Sequence, residues 1–255
     1  MNDTSETSFG CDIIKQVLYK RSKNTIGKFE KEILDYFIED ESRINPFLSN
    51  DIEMHICCFC ENGDLLSQWR GYGSNGAGYS VGFDPHYFNL TTDKGITFFK
   101  VIYKFEDQKK VINGVLDIFF SSLNELEVDK HKFEDDKFKE EVIYRLTIEF
   151  LNLICIFKSP SFEEEKEWRI LKVINYYNEV NLLSFRITKG NLIPYIKIAF
   201  ARDQSLNDNN ELTIPKIHYG PTLHPLLTEK ALNLLIIKSN FLLTEIERSS
   251  IPYNN

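Results

Sequence analysis

Two consecutive stretches of helical periodicity, about 107–127 and 135–157, stand between strand-like segments on either side. Before them, residues 54–60, 77–83 and "ITFFKVIYKF" (96–105) run apolar or alternate as strands do. After Pro160, "EWRILKVIN" (167–175), "LIPYIKIAF" (192–200) and "LTIPKIHYG" (212–220) do the same. A parallel α/β sheet needs a helix between successive strands, and this order lacks it. The expectation is an α+β fold. It is a single domain spanning 1–255, with a twisted or split, mainly antiparallel sheet and a helical insertion at 106–158. Further helices are expected over 11–22, 26–40 and 224–240, the last with Pro225 in its first turn, where a missing N–H does no harm. "TEIERSSIPY" adds a final short strand.

With 255 residues, 42% of them hydrophobic, the chain can bury one sizeable core or two small ones. A net charge of -8 argues against a broad electrostatic grip on nucleic acid. No apolar run approaches the roughly 18 residues of a spanning helix, and the polar start "MNDTSETSFG" is no signal peptide. The expectation is a cytoplasmic protein without membrane contact. Of five cysteines, Cys57 and Cys60 have the spacing of a zinc half-site, with His55 nearby. The second pair would have to come from Cys11 and Cys155, which lie inside apolar periodic segments. No metal is expected, and "HICCFC" reads as a buried strand lined with small soft residues.

Three short stretches carry candidate chemistry. "LLSQWRGYGSNGAGYSVGF" (65–83) sets Trp69, Arg70 and Tyr72 beside a glycine-rich loop and then alternates through Tyr79. It lacks the Lys-Ser/Thr ending of a phosphate loop, so the glycines read as a tight turn at Ser74–Asn75–Gly76. The stretch is either a packed aromatic corner or a pocket wall, with Arg70 offering a planar fork to a carboxylate or phosphate. "SFEEEKEWRILK" places Glu167 at the mouth of a strand, where a rigid element can aim it, with Arg169 two residues on. Glu164 and Lys166 loosely echo a metal-nuclease pattern. In "KIHYGP", His218 reads as a hydrogen-bonded residue of a strand. If the glycine-rich stretch is a pocket wall, Trp69, Arg70 and Tyr72 converge with Glu167, and Arg70 or Arg169 pairs with one of the glutamates 163–167.

In this order, "CFCENGDLLSQWRGYGSNGAGYSVGF", "FEEEKEWRI", "IPKIHYGP" and "SSIPY" resemble the bacterial family known as domain of unknown function 2971. "MNDTSE" is similar to that family's Asn-Asp-x-x-Glu element. Members usually carry a strand and a short helix ahead of that element, so the resemblance implies a chain that starts after its usual first strand. The layout is also similar to ADP-ribosyltransferases, which implies NAD as cofactor and Glu167 as the carboxylate facing an oxocarbenium-like ribose. On that analogy Trp69, Tyr72 or Tyr79 holds nicotinamide and Arg70 meets the pyrophosphate. Arg169 is either a further cofactor contact or the structural partner of Glu167. Two alternatives stay open: a non-enzymatic binding or sensor module of a bacterial defence or toxin system, and a metal-dependent nuclease. The substrate is unknown.

Overall fold

The computed structural model describes residues 4–45, 52–73, 78–84, 95–125, 135–188, 190–198, 214–222 and 224–252. In chain order the elements are α1 (Thr4–Asn24), α2 (Lys28–Glu39), β1 (Ile52–Cys60), α3 (Leu66–Tyr72), β2 (Tyr79–Val81) and β3 (Ile96–Lys100). Then come α4 (Phe105–Glu125), α5 (Asp136–Ile156), β4 (Glu167–Asn175), α6 (Tyr176–Glu179), β5 (Leu183–Thr188) and β6 (Asn191–Ile196). The chain closes with β7 (Lys216–Tyr219), α7 (Pro225–Lys238) and β8 (Glu245–Arg248). Mixed helix and mainly antiparallel strand is the α+β class expected. The strands do not share one sheet, however. They form β1-β4-β3, β2-β7-β8 and the hairpin β5-β6, with β7 and β8 parallel.

The chain divides into two compact units interleaved in sequence, 1–59 with 95–196 and 60–94 with 197–255. In the first, α1, α2, α4 and α5 build the larger core. Ile14, Leu18, Ile33, Leu34, Phe37, Ile112, Leu116, Leu146 and Phe150 are all fully buried there. The helices expected as an insertion are thus half of this core. α1 and α5 approach closely at Gly10, where a Cβ would lie 3.1 Å from the Ile154 Cα. β4 is the central strand of its sheet, and Ile170, Leu171 and Ile174 are buried, which accounts for its near-continuous apolar run. β3 is shorter than the segment 96–105 suggested. It ends at Lys100, because Ile102 then bridges Phe157 and Phe105 opens α4.

In the second unit, Ile217 and Tyr219 of β7 pack with Leu232 and Ile236 of α7 and with Ile246 of β8. The alternate β7 residues, Lys216 and His218, take the other face, as the period of a strand requires. Trp69, Arg70 and Tyr72 lie on the short helix α3 rather than on a strand-entry loop. The turn expected at Ser74–Asn75–Gly76 lies outside the described residues. Gly73 and Gly78 approach closely, and a Cβ on Gly78 would lie 2.8 Å from the Gly73 Cα. Here the glycines serve close backbone approach.

Candidate functional site: a buried ion cluster and an aspartate-centred clasp

Glu167 and Arg169 stand two residues apart on β4 and therefore on one face of the strand. Both are buried, at 2% and 1% exposure. Arg169 grips the carboxylate with two donors: Nε to Oε1 at 2.8 Å and Nη2 to Oε2 at 3.0 Å. Two further donors are placed, Nη1 on the Cys155 carbonyl at 2.7 Å and Nη2 on Glu6 Oε2 at 2.9 Å. Lys158 Nζ completes the cluster, reaching Glu167 Oε2 at 2.9 Å, Glu165 Oε2 at 2.7 Å and Glu6 Oε1 at 3.0 Å. Three carboxylates share two cations.

The local backbone explains this gathering. Pro160–Glu165 forms a 3-10 turn that ends in Lys166 at φ 43, so Glu165 and Glu167 both reach Lys158. Lys158 is itself held through its backbone. Its N–H donates to the Ile102 carbonyl at 3.2 Å, and its carbonyl accepts from the fully buried Gln108 Nε2 at 3.0 Å. The Glu167 N–H donates to the Tyr103 hydroxyl oxygen at 2.8 Å. Burial works to raise the Glu167 pKa, but the Arg169 hydrogen bonds and charge, with help from the Cys58 thiol and Lys158, hold it below the usual carboxylate range. Burial would lower Lys158 and Arg169, yet hydrogen bonds to the glutamates push both up. Burial and the charge of Glu167 push the Tyr103 hydroxyl up to about 12.

The second unit has its own polar centre at Asp64. Its Oδ1 accepts from Trp69 Nε1 at 2.7 Å and from Ser249 Oγ at 2.5 Å, and its Oδ2 accepts the Ser250 N–H at 3.0 Å. This carboxylate therefore clasps α3 to the segment after β8. Burial would raise its pKa, but the bonds from Ser249, Trp69 and Ser250 lower it. Trp69 is 4% exposed, a packed and anchored indole. Arg70 is exposed, as are Tyr72 (84%) and Tyr79 (57%) on either side of the Gly73–Gly78 neck.

The candidate residues thus fall into two groups. Glu167 and Arg169 belong to the first unit, and Trp69, Arg70, Tyr72 and Tyr79 to the second. Of the two arginines considered for the glutamates 163–167, Arg169 forms the pair. "HICCFC" forms β1 at the edge of its sheet, with Cys57 and Cys58 exposed, rather than a buried strand. Among the described residues, no three His, Cys, Asp or Glu gather as metal ligands, and no helix is long and apolar enough to cross a membrane. Sequence reasoning missed Lys158, Tyr103, Gln108 and Asp64. A lysine closing an apolar helix in "LNLICIFKSP" was the one available signal.

The clusters give the quoted motifs a common meaning. Glu6 of "MNDTSE" meets Arg169 of "EWRI", and Ser249 and Ser250 of "SSIPY" meet the Asp64 that anchors Trp69. The chain matches no curated protein and no solved structure. Residues 68–170 match the family model described as Protein of unknown function (DUF2971). That span holds Trp69, Glu167 and Arg169, and over it the chain is similar to the DUF2971 family.

Proposed function

We propose that this protein is a ligand-binding module whose second unit presents Arg70, Tyr72 and Tyr79 to an anionic ligand with a planar ring, of which NAD is the first to test. In this reading Glu167 is structural. The observation that carries it is the saturation of the Glu167 carboxylate, with two cations within 3.0 Å and both oxygens engaged. A carboxylate that stabilises a developing oxocarbenium ion must offer uncompensated negative charge to it. Arg169 and Lys158 already occupy both oxygens of Glu167, so a ribose cation would have to displace one of these partners to reach it. That favours a binding module over an ADP-ribosyltransferase-like enzyme.

The exposed residues suit recognition instead. A guanidinium offers a planar fork to phosphate, and two tyrosines beside a glycine neck offer faces for a base. Trp69, on the same helix as Arg70 and Tyr72, is anchored by Asp64. The test is calorimetric titration of NAD and of ADP into the wild type and into Arg70→Ala and Tyr72→Ala. Binding weakened about tenfold or more in both variants supports the reading, on the scale of one lost charge-assisted contact. No binding to the wild type, or equal binding by all three, refutes it.

A further inference from the structure

The first unit carries an open groove between α1 and α4 that the binding reading leaves unused. The two helices lie side by side and run in the same direction. Phe9 meets Phe105 with ring centroids 5.9 Å apart, and Arg21 Nη1 meets Asp117 Oδ1 at 2.6 Å. These contacts are twelve residues apart on each helix, about 18 Å along the axis, so the two walls are fixed relative to each other. The groove has a volume of about 600 Å³, within the range of small-molecule sites. Gln16, Lys20 and Asn24 follow at steps of four on its α1 wall, and Glu106, Lys110 and Asn113 at steps of four and three on its α4 wall. The buried Val17 also lines it.

The charge of this groove is opposite to that of the whole chain. Lys20, Arg21, Lys109 and Lys110 line it against the single carboxylate of Glu106, whereas the chain carries 30 basic and 38 acidic residues. Arg21 is committed to Glu30 and Asp117, and Lys109 to Glu106 at 3.3 Å. Lys20 and Lys110 are exposed and form no ion pair among the described residues. Two ammonium groups thus line the groove with no carboxylate to balance them. Asn24 and Asn113 each donate from Nδ2 to the carbonyl four residues before, at 2.9 and 2.8 Å, which holds both carboxamides in place. Their amide oxygens take no hydrogen bond among the described residues and remain acceptors.

We propose that this groove binds a small phosphate monoester of a polyol, with Lys20 and Lys110 holding the phosphate and Gln16, Asn24 and Asn113 the hydroxyls. An ammonium group is a compact, charged donor to phosphate oxygens, and a carboxamide both donates to and accepts from a hydroxyl. Among the described residues no aromatic side chain lines the groove, so a nucleobase has no face to stack on. Acids bracket the positive run on α4, with Glu106 and Asp107 before Lys109 and Asp117 after Asn113. A long polyanion such as nucleic acid would meet repulsion on both sides of that run. All the lining residues belong to the first unit, so the proposal is independent of the reading given for Arg70, Tyr72 and Tyr79.

The experiment is calorimetric titration of the full chain at low salt with glycerol 3-phosphate, ribose 5-phosphate and glucose 6-phosphate, beside ribose and inorganic phosphate. The proposal expects at least one of the three esters to bind, more tightly than inorganic phosphate, and ribose not to bind. Lys20→Gln and Lys110→Gln should each weaken that ester about tenfold, the scale of one charge-assisted contact. Asn113→Ala should weaken the ester and leave inorganic phosphate unchanged. Arg70→Ala, in the second unit, should bind the ester as the wild type does. The proposal is overturned if no ester binds the wild type, or if inorganic phosphate binds as tightly as every ester. It is equally overturned if a Lys20→Gln/Lys110→Gln double variant with unchanged circular dichroism keeps the wild-type affinity, or if Arg70→Ala abolishes binding.

Discussion

The carboxylate of Glu167 and the guanidinium of Arg169, side by side on β4, meet through two hydrogen bonds of 2.8 and 3.0 Å. This pair makes the acid limb of stability specific. The folded pKa of Glu167 lies below its unfolded value, so its contribution is complete above the ordinary carboxylate range and is lost as pH falls through the depressed value. Lys158 and Arg169 shift upward, so their contribution is present at neutral pH and lost only under strongly alkaline conditions. Helical circular dichroism in moderate urea should therefore be flat through neutral pH and collapse below about pH 4, toward the unfolded carboxylate value. In Glu167→Gln that acid step should shrink, because the group that titrates is gone.

Asp64 makes a separate prediction for the second unit. In a Trp168→Phe background Trp69 is the one indole left, and Asp64→Asn weakens the acceptor that holds Trp69, Ser249 and Ser250. Trp69 emission should shift to the red, and the unit should lose about 1–3 kcal/mol, the cost of weakening buried hydrogen bonds to a charged acceptor. The same red shift should appear in Trp168→Phe as pH falls through the lowered pKa of Asp64. Fluorescence against urea and against pH reads both.

Gly63→Ala tests the close packing of Gly63 on His218. The new methyl would meet the ring at 2.9 Å and the Ser80 hydroxyl at 3.0 Å, so the imidazole has to move. A displaced His218 ring resonance and a cost of about 1–3 kcal/mol from overpacking are expected together. An unchanged ring resonance contradicts the geometry.

How much of this was legible depended on length and burial. β4 was readable to its ends, because a central strand buried on both faces writes nine nearly continuous apolar or paired residues. α4 and α5, each 21 residues, were readable because periodicity accumulates over turns. α3 was not, since seven residues including Gly71 are too few for a helical period to emerge. β5 was missed because Phe185 and Ile187 are exposed, so the hairpin carries no inward alternation. Only Gly190, at φ +80 beside the Thr188–Asn191 pair, marked its turn. At the site, Glu167 and Arg169 were visible as neighbours. Glu6 reaches them from more than 160 residues away, and Lys158 from across the turn nine residues before Glu167, separations at which ion pairs leave no periodic pattern.

The most direct test of Glu167 as a structural anchor is a double-mutant cycle, with unfolding by urea of wild type, Glu167→Gln, Arg169→Gln and the double variant. Removing one partner of a buried pair strands the other charge, so each single change should cost about 3–5 kcal/mol. The double variant should fall short of their sum by a coupling of about 0.5–3 kcal/mol. Glu167→Gln unfolding at the wild-type urea concentration, with no coupling to Arg169, would contradict the account and return Glu167 to the list of catalytic candidates.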